Sequence, residues 1–279
     1  MKTIIKASIA GILFLLTVAC EKIVTNVDLP DYEAKLVVQC FLSPENENIE
    51  VFVSESVPIF STTQPGSTNS IINATVRLEG PGQNVILPFS EVKQRYILPA
   101  SSFSVVGGET YHLYVSVPDG RQVKGSTTVP LALSQNLEIT ELEELPGGYG
   151  EYKLAMRMQD MPGEGNFYRV TAYQVFEDAF IGGSTYTWEL YFDKGETLVS
   201  DQGRDSYTFT YRSTFYCPDC KELQALLLTT DEAYYRYHKS VYGFTGDDPF
   251  SEPVIVYSNI EGGLGVFSSY RQFKLTRQL

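Results

Sequence analysis

The sequence predicts a mainly β protein in two parts. The first is an immunoglobulin-like or transthyretin-like β-sandwich, and the second is a β-rich domain with one helix. Three observations predict this. Short runs of strand formers recur along the first half, most of them ended by turn residues. A flexible, acidic stretch then separates this half from a second set of alternating segments. Tyrosine and phenylalanine are abundant, at 19 and 16, against one tryptophan, Trp188, a balance that suits exported β proteins.

The chain opens on an export signal, residues 1–19. Lys2 and Lys6 give a basic start, Ile9 to Leu16 is apolar, and Thr17-Val18-Ala19 leads to Cys20. The apolar run is too short to span a bilayer comfortably. A cut before Cys20 points to a lipoprotein, with acyl chains such as palmitate on the cysteine. A plain secretory peptide and a short membrane anchor are the alternatives. Thr17 stands where a lipobox usually has Leu, Val or Ile. Residues 20–33 then read as a lipidated tether.

Residues 34–130 form the expected sandwich. Lys35 to Leu42 and Ile49 to Ser54 are strands around a turn at Pro44 to Asn48. Ala74 to Glu79 alternates and stops at Gly80-Pro81-Gly82. Val85 to Phe89, Arg95 to Leu98, Tyr111 to Val117 and Gln122 to Val129 follow, with Pro118-Asp119-Gly120 as a turn before the last. Residues 131–150 read as a linker, because Pro146-Gly147-Gly148 favours no regular element. Residues 151–279 form the second β-rich domain, with strands at Tyr152 to Met158, Phe167 to Phe176, Thr185 to Phe192, Tyr207 to Arg212, Leu223 to Leu228 and Val266 to Leu275. The helix is expected at Thr230 to Val241, capped by Thr230, with Ala233, Tyr234, Tyr237 and Val241 as its apolar stripe.

Charge and cysteine content bound the chemistry. The whole chain carries −13; without Lys2 and Lys6 it keeps 19 basic against 34 acidic side chains, or −15. Such a surface repels nucleic acid and anionic lipid. An exported setting makes ATP and NAD poor expectations, and no cofactor is expected. Cys40 lies in an apolar run and reads as a buried small hydrophobe. Cys217-Pro218-Asp219-Cys220 allows a local disulfide, a free thiol pair, or metal or redox work.

Catalytic and metal motifs are weak. His112 and His238 are the two histidines, and both read as structural or surface residues. There is no nucleophile elbow or phosphate loop. Asp201 to Asp205 and Asp247-Asp248 lack calcium-loop spacing and read as solvated loops. Glu261-Gly262-Gly263-Leu264-Gly265 reads as a glycine-rich turn entering a strand, with an amide nest as the alternative. The expectation is therefore no catalytic residue, no metal site and no enzyme. The candidate contact residues are Tyr242, Phe244 and Phe250, in a loop rich in aromatics.

Several stretches together carry a resemblance. They are Lys35-Leu36-Val37-Val38, Asn73-Ala74-Thr75-Val76, Gly108 to Val115, Asn166-Phe167-Tyr168-Arg169, Asp248 to Pro253 and Ser258 to Phe267. In this order they resemble an uncharacterised family of Bacteroidota lipoproteins, catalogued as a domain of unknown function. The resemblance implies a lipid-anchored outer-membrane protein, on the periplasmic face or the cell surface, often encoded beside a TonB-dependent receptor. It implies no activity and no catalytic residues. The expected function is thus a non-enzymatic binding or accessory component, with that receptor as partner in ligand capture or uptake. The alternatives are a structural or assembly factor of the envelope and an exported hydrolase.

Overall fold

The structure is a computed structural model. It describes residues 33–57, 70–177, 185–203, 205–242 and 255–279. Cys20, Phe244, Phe250, Asp247 and Asp248 lie outside these residues, as do the expected signal and nearly all of the tether. Among the described residues no helix is long and apolar enough to cross a membrane.

Alternating sequence becomes alternating burial. β1 (Leu36–Leu42) turns Leu36, Val38, Cys40 and Leu42 inward, and β2 (Asn48–Glu55) buries Ile49, Val51 and Val53. β3 (Thr75–Gly80), β4 (Gln83–Leu87), the two-residue β5 (Phe89–Ser90) and β6 (Arg95–Pro99) follow. β7 (Thr110–Ser116) and β8 (Gln122–Thr128) complete the first half. Their two sheets share one core, in which Val51, Val76, Leu78, Tyr111 and Phe267 are fully enclosed. Such alternation is what a half-buried sheet requires.

The second half holds β9 (Leu137–Glu144), β10 (Glu151–Gln159), β11 (Phe167–Glu177), β12 (Thr185–Glu189), β13 (Leu198–Ser200), β14 (Thr208–Tyr216) and β15 (Glu222–Thr230). The helix α1 (Glu232–Tyr242) and the long strand β16 (Leu264–Gln278) end the chain. A three-stranded sheet, β14-β10-β9, packs on β11 and β15 around Leu154, Met156, Tyr168, Ala172 and Leu227. The expected linker at 131–150 therefore contains a strand, β9, and its Leu137, Ile139 and Leu142, brought to one side by a shift of register after Ile139, pack toward this second core.

One strand joins the two cores. The large sheet runs β12-β11-β15-β16-β1-β2-β6-β5, and the small sheet of the first half runs β4-β3-β7-β8. Leu264 to Ser269 of β16 pair in parallel with β1, and Tyr270 to Gln278 pair antiparallel with β15. Ala34–Leu279 accordingly forms one compact unit. Gly265 makes the parallel pairing reachable. It holds φ +108°, and a Cβ there would overlap the Val38 carbonyl. Asn259 clamps the same strand, accepting from Phe267 N at 2.9 Å and donating to Phe267 O at 2.7 Å.

The helix start differs from expectation by one residue. Thr230 is the end of β15 and pairs with Tyr270 and Phe167, so it has no freedom to cap. Asp231 does so instead, accepting from Tyr234 N at 2.7 Å. Its other oxygen accepts from Ser269 N at 3.1 Å and from the Thr127 hydroxyl. One carboxylate thus ties α1, β16 and β8 together. The helix stripe also differs: Tyr234 is buried, but Val241 is exposed.

Candidate functional site

The helix lies on the outer face of the large sheet over an aromatic seat. Phe41 of β1 meets Tyr234, Tyr237 and His238, with ring centroids 5.5, 6.0 and 5.1 Å away. His238 stacks on Tyr234 at 4.1 Å and donates Nδ1–H to the Tyr234 carbonyl at 3.0 Å. Burial lowers its pKa to about 4, so at neutral pH it is an uncharged packing residue. His112 faces outward on β7.

Arg169 of β11 organises the far end of this face. Its Nη1 donates to the Tyr234 hydroxyl at 3.1 Å, and its Nη2 reaches the Tyr242 hydroxyl at 3.1 Å and Glu189 at 3.2 Å. The side chain is only 14% exposed. Burial disfavours its charge, but the Tyr234, Tyr242 and Glu189 oxygens more than offset this, so it stays protonated. A cleft of about 390 Å³ opens beside it, lined by Glu189, Tyr191, Phe192, Glu196, Lys239 and Tyr242. Lys239 and Glu196 pair across it at 2.8 Å. Tyr191 is 91% exposed and Tyr242 57%. The cleft therefore carries an exposed Lys239–Glu196 pair and two tyrosine rings open to solvent. Such rings supply binding area at little entropic cost.

Of the three expected contact residues, the structure places Tyr242 in this cleft; Phe244 and Phe250 lie outside the described residues. Arg169, Tyr191 and Trp188 are not among the contact residues expected from the sequence. One signal for Trp188 was there: it is the lone tryptophan, in the strand Thr185-Tyr186-Thr187-Trp188-Glu189. All five residues of that strand are exposed, and Trp188 is 61% exposed. Tyr186 and Trp188 lie against Phe176 on the sheet face opposite the helix, with centroids 5.0 and 5.1 Å from it.

The remaining candidates have local structural employment. Asp201 is fully buried and accepts from Gly165 N, Asn166 N and Asn166 Nδ2, each at 3.0 Å. Asp160 accepts from the Tyr168 hydroxyl at 2.7 Å and Ser206 N at 3.0 Å, while Asp205 holds Gly163 N at 3.0 Å. These carboxylates lock the loop before β11 to the one before β14. Among the described residues no group of three or more His, Cys, Asp or Glu is placed to hold a metal ion. Cys217 and Cys220 sit in the turn between β14 and β15, paired as a disulfide with Cα atoms 5.4 Å apart. Cys217 is buried against the second core, and its N–H donates to Gly150 O at 2.7 Å. Cys40 is free and enclosed, and burial pushes its thiol up to about 12.

A search of curated proteins returned no match to this chain. The family described as a domain of unknown function, DUF4249, matches residues 24–276, nearly the whole chain, and the protein belongs to that family.

Proposed function

We propose that this is a lipid-anchored outer-membrane protein that works by contact. It serves as a non-enzymatic binding or accessory component of a TonB-dependent receptor in ligand capture or uptake. Cys20 carries the acyl chains, and two or more such chains hold a protein stably on a membrane. In this reading the first core is an immunoglobulin-like or transthyretin-like sandwich. It acts as a spacer that presents the second half.

The observation that supports the reading most is the cleft beside α1. Arg169, held by three partners, fixes Tyr242 and Glu189, so the Tyr242 ring is held on a firm base beside the exposed Tyr191. Interfaces draw most of their energy from such aromatic anchors next to arginine. Tyr191→Ala with Tyr242→Ala is the test. Affinity purification from native membranes in mild detergent should lose the barrel partner, with losses of roughly 2 kcal/mol per anchor, about 30-fold in affinity each. A partner retained at wild-type yield would move the contact elsewhere. Absence of a barrel partner from the wild-type preparation would end the accessory reading.

A further inference from the structure

Sheet edges expose unpaired backbone groups, and proteins blunt them with short strands, proline, charge or a covering segment. Among the described residues the other edges are blunted. β5 has two residues and follows Pro88. β9 carries Glu138, Glu141, Glu143 and Glu144. β14 is bridged by Asp193 and Lys194, which bond the Arg212 backbone. β8 is bridged at Lys124 by Glu261. β4 is clasped at Gln83 by Ser104, whose N–H and C=O both bond the Gln83 amide, and ends at Pro88. β13, the short companion on the outer side of β11, has only three residues. β12 is the exception. It is five residues long, holds no proline, lysine or bulge, and among the described residues pairs only with β11.

The direction of its free groups follows from the register. Leu190 N donates to Ala172 O, so the Leu190–Ala172 pair is hydrogen-bonded toward β11. Backbone direction alternates along a strand, so Trp188 and Tyr186 also bond toward β11. The N–H and C=O groups of Thr185, Thr187 and Glu189 then point outward. An antiparallel two-fold axis through Thr187 uses all of them. Thr187 exchanges both bonds with Thr187 of a second copy, and Thr185 does so with Glu189 of that copy. Tyr186 and Trp188 of the second copy fall opposite one another as the non-hydrogen-bonded pair, where side chains stand closest. Aromatic cross-strand pairs in that position stabilise sheets. The sole charge of the strand, Glu189, meets threonine and never itself.

We propose that two copies of this chain associate by antiparallel pairing of β12 about Thr187, making one continuous sheet across the dimer. The occupant is a second copy because the strand is self-complementary in this register: backbone parity, aromatic pairing and charge all agree on the same axis. The inference rests on the backbone edge of β12, whereas the receptor contact rests on side chains of the cleft; Glu189 is the β12 residue that the two share. The paired area is small, so association is weak and is favoured by confinement on a membrane.

The test uses the full chain with Thr187→Cys. Hydrogen-bonded antiparallel partners lie about 5.5 Å apart at Cα, inside the roughly 4.4–6.8 Å window of a disulfide. Mild copper-phenanthroline oxidation in native membranes should give a band of doubled mass. Thr185→Cys, four residues from its own symmetry mate, should give little. Thr187→Pro provides the second measurement, since the lost N–H points away from β11 and the fold is kept, as melts will check. In sedimentation equilibrium of the detergent-solubilised full chain, Thr187→Pro should weaken self-association at least tenfold. A wild type that stays monomeric up to millimolar concentration overturns the proposal. So does equal crosslinking from residues 185 and 187, or a dimer that survives Thr187→Pro.

Discussion

Asp231→Ala should cost about 3 kcal/mol of stability. The carboxylate caps α1 through Tyr234 N at 2.7 Å and holds Ser269 N at 3.1 Å and the Thr127 hydroxyl. Loss of a helix cap costs roughly 1 kcal/mol. Ser269 is fully buried and Thr127 nearly so. The Ser269 N–H loses its partner outright, at roughly 1–3 kcal/mol, whereas the Thr127 hydroxyl keeps its 2.7 Å contact with Ser269 Oγ. Together these give about 3 kcal/mol, or about 6–12 °C in Tm at this chain length. Burial also raises the Asp231 pKa despite the hydrogen bonds that lower it. A carboxyl with a raised folded pKa binds more protons native than unfolded. Its contribution therefore declines as pH rises from its unfolded pKa through its folded one. The penalty of Asp231→Ala is best measured by urea unfolding at pH 7, with Asp231→Asn beside it. Asparagine keeps an oxygen for Tyr234 N but turns an NH2 toward the Ser269 N–H, so it should fall between alanine and wild type. A loss below about 0.5 kcal/mol with alanine would refute the claim that this residue ties helix, β16 and β8 together.

Three further outcomes follow from the packing. His238 has its pKa lowered to about 4 by burial, so stability present above about 6.5 should be lost as pH falls toward 4, by up to ~3 kcal/mol; comparing wild type with His238→Phe across that window should show the difference flatten in the variant. Gly265→Ala should destabilise by about 3 kcal/mol or prevent folding, because its Cβ would enter the Val38 carbonyl and its φ is positive; a thermal melt within 2 °C of wild type would contradict the shared-strand geometry. Alkylation and intact mass without reductant should find Cys217 and Cys220 unreactive, and their replacement by serine should cost about 2 kcal/mol or more, from the opened loop and from the hydroxyl left at the buried Cys217 site.

The first half was readable because most strands there alternate buried residues with less buried ones, which writes a period of two into the sequence. Cys40 was legible as a core residue for that reason. The sharing of β16 was not, because parallel pairing with β1 joins residues more than two hundred positions apart and leaves no local signature. β9 was hidden by its glutamates, which suit an edge as well as a linker. Thr230 and Asp231 are both good caps, and only the pairing of β15 with its neighbours decides between them. At the cleft, Tyr242 could be guessed from its aromatic neighbourhood. Arg169 could not, since an arginine inside an apolar strand announces burial but not its three partners. The exposure of Trp188 depends on β12 being the last strand of its sheet, a property of topology.

Site-specific photocrosslinking from Tyr242 in native membranes tests the contact account most directly. A benzophenone side chain at that position should capture a β-barrel receptor as one dominant adduct, and Tyr191→Ala should abolish that adduct while leaving protein level and fold unchanged. Capture of no membrane protein, with the protein recovered free, would contradict it.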